Sequence, residues 1–129
     1  MKNELCTIWV RWSFHGFHRY PDAPKDVNYL TSPHRHKFYV HVELEVEPLI
    51  DRELEFHQVL TVLKSEFKTV VNDQDTGSCE AMCTLLTRII ADHYPKRAYA
   101  VSVNEDEECG ATKSTLHNCT CTPIADRAA

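Results

Sequence analysis

The segment 32–46, SPHRHKFYVHVELEV, constrains the fold more than any other part of the chain. After Pro33 its residues alternate between apolar or aromatic and polar ones, which is typical of a strand with one buried face, continuing to about residue 47. Side chains two residues apart point to the same face of a strand, so His34 and His36 lie together. Two imidazoles in that arrangement can bind one metal ion.

A third ligand would complete a zinc site that keeps one position open for a substrate. His18 is the candidate, because it follows the apolar run IWVRWSF at residues 8–14. Residues 5–14 read as a first strand, and Gly16 predicts a sharp bend after it. Without His18, the two histidines at 34 and 36 would more often be polar residues on a solvated face. With it, the sequence predicts a zinc site on His18, His34 and His36.

The remaining elements are predicted from changes in periodicity. Apolar residues at helical spacing predict an amphipathic helix over roughly 52–71, and Ser78 predicts the N-cap of a second helix ending near residue 93. Alternation returns at 97–105 and leads into an acidic turn. The polar stretch 111–129, with a short Cys119-Thr120-Cys121 element, is expected to hold a final strand and a tail. This order predicts an α+β domain with a largely antiparallel sheet.

Length and composition narrow the class of protein. A chain of 129 residues with 43% hydrophobic residues is expected to form one domain with its own core. The net charge of −5 argues against non-specific nucleic-acid binding, and no apolar run is long enough to span a membrane. The six cysteines are expected to be reduced, because no secretory signal is visible. We therefore expect a cytoplasmic protein.

Four motifs in separate parts of the chain are FHGFHRY at 14–20, HRHKF at 34–38, GSCE at 77–80 and VNE at 103–105. Together they resemble the 6-pyruvoyl-tetrahydropterin synthase / 6-carboxy-tetrahydropterin synthase family. FHGFHRY at residues 14–20 resembles the family's F-x-A-x-H-R-L strand end, and HRHKF at 34–38 resembles its H-G-H-N-Y strand start. GSCE at 77–80 resembles the P-T-x-E start of its second helix, and VNE at 103–105 resembles the v-x-E that closes its third strand. The resemblance covers roughly residues 5–115, in the family's order.

The resemblance implies a T-fold (tunnelling fold) over residues 1–115, with 116–129 as a tail or a short extra strand. In this fold two helices pack on one face of an antiparallel sheet, and the sheets of several copies form a β-barrel in trimers or hexamers. It also implies zinc on His18, His34 and His36, and Glu105 as the anchor of a pterin ring. The implied activity is that of a lyase acting on dihydroneopterin triphosphate or a related pterin, as in queuosine and 7-deazaguanine synthesis.

The proton-transfer residues of the family have no counterpart here. Its cysteine before the H-G-H motif is replaced by DVNYLT at 26–31, and its L-D-H motif by VVNDQD at 70–75. Asp73, Asp75, His15 and Tyr29 are near enough in sequence to act instead, and nothing ranks them. An alternative function is therefore a non-catalytic module that binds a pterin- or purine-like ligand, and a third is a structural oligomer without a ligand.

A rival metal site lies near the end of the chain. Cys109, His117, Cys119 and Cys121 could close a structural zinc site, although their spacing lacks the usual C-x2-C pair. Their role stays open at this point.

Overall fold

The computed structural model describes residues 4–116 of the chain. Its elements follow in the order β1 (Cys6–His18), a 3-10 helix (Lys25–Thr31), β2 (His34–Val46), α1 (Phe56–Val70), α2 (Cys79–His93), β3 (Tyr99–Glu105) and β4 (Cys109–Ser114). The strands form one antiparallel sheet in the order β1-β2-β3-β4. The predicted α+β class is confirmed. Within the described residues, no helix is long and apolar enough to cross a membrane.

The core lies between one face of the sheet and the two α-helices. Alternate residues of β2 are almost fully buried there, namely Phe38, Val40, Val42 and Leu44. They pack in one cluster with buried residues of both helices, namely Val59, Leu63, Phe67, Met82, Leu86 and Ile90. Burying each side chain of this kind contributes about 1.5–3 kcal/mol, so the alternating pattern of β2 fixes which face receives the helices.

Gly16 lies inside β1, and the predicted bend after residue 14 is wrong. The strand continues to His18. A glycine is required for another reason: a Cβ atom at residue 16 would lie 2.8 Å from Cγ2 of Thr76. The loop after α1 crosses the strand here, because the Phe17 N–H donates to the Asp73 carbonyl (2.8 Å) and the Thr76 N–H donates to the Phe17 carbonyl (2.9 Å). The loop is thereby fastened beside the end of β1.

The first helix begins at Phe56, later than its apolar periodicity predicted. Leu54 extends the apolar pattern, but Arg52 has a φ of 52°, in the left-handed region that a helix excludes. The side chain of Glu55 caps the helix by accepting a hydrogen bond from the backbone of His57. The second helix begins as predicted, with the Ala81 N–H donating to the Ser78 hydroxyl at 3.0 Å.

The last strand of the sheet comes earlier than expected. β4 covers Cys109–Ser114 and pairs with β3 across a tight hairpin. The Cys119-Thr120-Cys121 element and all but the first residue of the predicted tail, 116–129, lie outside the described residues. The assignment of 1–115 as one domain stays a prediction.

Candidate metal centre

The pairing of β1 with β2 brings three histidines together at one end of the sheet. His18 lies directly opposite His34, and His36 lies opposite Gly16. The ring centroids are 4.6 Å apart for His18 and His34, 5.0 Å for His18 and His36, and 4.9 Å for His34 and His36. One ring nitrogen from each histidine lies within 4.8 Å of the other two. The three residues predicted from sequence could therefore bind a metal ion.

All three imidazoles are held through the same ring nitrogen. Each Nδ1 donates a hydrogen bond to an oxygen: His18 to the Gly77 carbonyl (2.9 Å), His34 to the Ser32 carbonyl (2.8 Å) and His36 to Oδ2 of Asp106 (2.7 Å). Carbonyl and carboxylate oxygens accept, so each Nδ1 carries a proton. The three Nε2 atoms are then the ring nitrogens that face the shared site. Histidines that bind metals usually have their second nitrogen fixed in this way.

Two of these Nε2 atoms are also cut off from solvent. Nε2 of His34 and Nε2 of His36 are buried and have no hydrogen-bond partner among the described residues. Leaving such an atom unsatisfied costs about 1–3 kcal/mol, and a cation shared by the three rings would remove that cost. Phe38, which is fully buried, lies below the site, with its ring 5.3 Å from that of His18 and 5.7 Å from that of His36. A set of three imidazole nitrogens fits zinc.

Asp106 is a supporting residue that sequence reasoning missed, because it lies in an acidic run that reads as a solvated turn. Its Oδ1 accepts a hydrogen bond from the Lys37 N–H (3.0 Å), while Oδ2 holds His36. These hydrogen bonds, that of His36 first, lower the pKa of the Asp106 carboxyl group. The signal that could have revealed it is the β2–β3 register, which brings the residue after Glu105 beside Lys37.

Glu105 lies at the same site as the histidines. It is paired with Phe38 across β2 and β3, and its side chain points to the same face as the histidines. Oε1 is 3.1 Å from Nε2 of His18, and Oε2 is 3.5 Å from Nε2 of His36. Its predicted role as a pterin anchor stays a prediction, but its carboxylate is in contact with two candidate metal ligands.

The cysteines near this site are protonated thiols rather than exposed thiolates. Burial raises the pKa of Cys79 to about 12, and the charge of Glu105 adds to that shift. The charge of Glu105 also raises the pKa of Cys109, whose Sγ donates to Oε2 of Glu105 at 3.9 Å. The other members of the rival cysteine site, His117, Cys119 and Cys121, lie outside the described residues.

The four candidate bases are exposed to solvent, unlike the three histidines, which are half-buried. Tyr29 is 74% exposed on the 3-10 helix. His15, Asp73 and Asp75 are also exposed, the two aspartates in the loop that crosses β1. The structure thus gives no candidate base a buried position beside the three rings.

No family model matches the chain, and no curated protein matches it.

Removing two of the three imidazoles should abolish metal binding. We expect the wild-type protein, loaded with zinc and dialysed, to retain about one ion per chain, because three histidine ligands suffice for a zinc site. The His34→Ala, His36→Ala double variant should retain none when metal content is measured by atomic emission.

The matched control is His41→Ala, which removes a histidine from the same strand but from the opposite face. It should retain zinc like the wild type. Equal zinc in the wild type and the double variant would contradict the site.

Proposed function

We propose that the chain is a zinc-dependent, pterin lyase-like protein of the 6-pyruvoyl/6-carboxy-tetrahydropterin synthase type with a T-fold. Its substrate would be dihydroneopterin triphosphate or a related pterin, as in queuosine or 7-deazaguanine synthesis. The observation that carries the proposal is the orientation of His18, His34 and His36, whose Nδ1 atoms are hydrogen-bonded so that three Nε2 atoms face one half-buried site. Three protein ligands leave a position for a substrate, as in catalytic zinc sites.

The metal, the residues that hold the imidazoles and Glu105 would have separate roles. A bound zinc ion would act as a Lewis acid on the hydroxyl-bearing side chain of the pterin. Gly77, Ser32 and Asp106 hold the three imidazoles in the ligating orientation. The carboxylate of Glu105 can accept hydrogen bonds from an amino-pyrimidine edge, and such charge-assisted bonds are strong in a half-buried pocket.

The missing proton-transfer residues support a second function. Losing a positioned acid or base lowers a rate by about two to four orders of magnitude. Tyr29, Asp73, Asp75 and His15 are exposed and offer no evident replacement. The alternative is therefore a non-catalytic T-fold module that binds a pterin- or purine-like ligand with the same metal site.

An oligomeric barrel is part of the proposal. The outer strands of the four-stranded sheet are β1 and β4, and β1 is 13 residues long. Long open edges favour pairing with another chain. On the face opposite the helices, Trp9 is 52% exposed and stacks on His41 at 5.5 Å. Closure of several sheets into a trimeric or hexameric barrel would pair these edges and cover this tryptophan.

A cytoplasmic location belongs to the proposal as well. Within residues 4–116, Cys6, Cys79, Cys83 and Cys109 form no disulfide, as expected in a reducing compartment. The net charge of −5 favours a small-molecule partner over nucleic acid.

Turnover and binding should be measured on one zinc-loaded sample. We expect isothermal titration calorimetry to detect binding of dihydroneopterin triphosphate. We also expect a coupled phosphate assay to detect the release of its triphosphate group. Because the family's cysteine and L-D-H motif are missing, release should be at least about 100-fold slower than in an enzyme that has both. The His34→Ala, His36→Ala variant should show neither signal.

Binding without release would favour the non-catalytic module over the lyase. Absence of binding by the zinc-loaded wild type would contradict both functions.

The mass in solution tests the barrel. Three or six copies of the 14.9-kDa chain are expected by light scattering. Trp9→Lys should shift the protein to smaller species, because the barrel would bury that charge. Leu49→Lys, at a position that is 86% exposed in a turn, is the control and should leave the mass unchanged. A monomeric wild type would contradict the barrel.

A further inference from the structure

We propose that Glu105 is a fourth, displaceable metal ligand, which closes the three-histidine site while no organic ligand is bound. The inference rests on the metal-binding part of the proposed function and changes the role given to this residue. In the ligand-free protein Glu105 would bind the metal, and it would leave the metal when a ligand takes its carboxylate.

The distances fit those between neighbouring ligands of one ion. In tetrahedral zinc sites with bonds of about 2.0–2.1 Å, adjacent donor atoms lie about 3.4 Å apart. The Glu105 oxygens lie 3.1 Å from Nε2 of His18 and 3.5 Å from Nε2 of His36. The carboxylate therefore already lies at the distance of a fourth ligand from two of the three histidine nitrogens.

The unsatisfied nitrogens of the site favour a shared cation. Nε2 of His34 and Nε2 of His36 are buried and have no hydrogen-bond partner among the described residues. Nε2 of His18 lies 3.1 Å from Glu105, a distance that also suits an ion pair when this ring carries a second proton. One divalent ion bound by the carboxylate and the three rings would satisfy all of these atoms together.

Glu105 is held on a rigid element. Its backbone is the last residue of β3 and is paired with Phe38 on one side and Cys109 on the other. The Cys109 thiol donates to the carboxylate oxygen that faces His36. The side chain therefore presents its carboxylate to the three rings, rather than sampling solvent as a loop residue would.

This arrangement couples ligand binding to the metal. The carboxylate oxygens of Glu105 cannot bind the metal and, at the same time, accept full-strength hydrogen bonds from an amino-pyrimidine edge. A ligand with that edge would draw Glu105 away, and a coordination position would open only when the ring is in place. The chemical class selected is a planar heterocycle with adjacent N–H donors and an oxygen that can reach the metal.

Zinc affinity and the spectrum of the cobalt-loaded protein test this role without an activity assay. Zinc affinity, measured by competition with a chromophoric chelator, should fall about 10- to 100-fold in Glu105→Gln, at least as much as when an outer-shell residue is removed. Azide should change the visible spectrum of cobalt-loaded Glu105→Gln at concentrations that leave the wild-type spectrum unchanged, because the variant has an open position.

Glu107→Gln is the control, since it removes the same charge from an exposed position in the same hairpin. It should match the wild type in both measurements. If Glu105→Gln binds zinc as tightly as the wild type, or if azide acts equally on both, the fourth-ligand role is wrong while the three-histidine site stands. If the wild type binds no metal, the proposed metal site fails and this inference fails with it.

Discussion

The register between β1 and β2 is the constraint on which the site depends. It places His18 opposite His34 and leaves Gly16 opposite His36. A slip of one residue would send His34 and His36 to the other face of the sheet, and it would also expose Phe38 and the apolar residues that follow. The core and the metal site are therefore fixed by the same hydrogen-bonded pairing, and neither can change without the other.

Among the described residues, the site is the one place where buried side-chain nitrogen or oxygen atoms lack a hydrogen-bond partner. Elsewhere the buried side chains on the inward face of the sheet are apolar, but at its end three imidazoles meet a carboxylate, and two ring nitrogens have no hydrogen-bond partner. Hydrogen bonds from the Nδ1 atoms to oxygens of Gly77, Ser32 and Asp106 prevent the rings from turning their Nε2 atoms outward. Buried side-chain nitrogens without hydrogen-bond partners, next to an otherwise apolar core, are typical of a functional site.

The features that sequence predicted are those encoded locally. The alternation in β2 and the capping serine at residue 78 depend on neighbouring residues, and both are found in the structure. The two histidines of the H-x-H pair follow from the strand period alone. The third, His18, was proposed because it follows a second apolar run, and the resemblance to a known family indicated the same residue.

The features that sequence did not predict depend on contacts between distant segments. The need for Gly16 comes from Thr76, and the role of Asp106 comes from Lys37 and His36. Leu54 fits the helical pattern because it is apolar. In the structure it packs against the core from outside the helix, after the chain turns at Arg52. The approach of Glu105 to the histidines likewise depends on the pairing of β2 with β3, which no local pattern contains.

The state of the three imidazole rings tests the central claim most directly. In protein labelled with ¹⁵N-histidine, NMR spectra of the zinc-loaded form should show the rings of His18, His34 and His36 protonated at Nδ1 and bound to the metal through Nε2. Adding zinc should shift the three Nε2 signals and leave the His41 ring unchanged. Protonation at Nε2 in the loaded protein, or spectra that do not respond to zinc, would contradict the account.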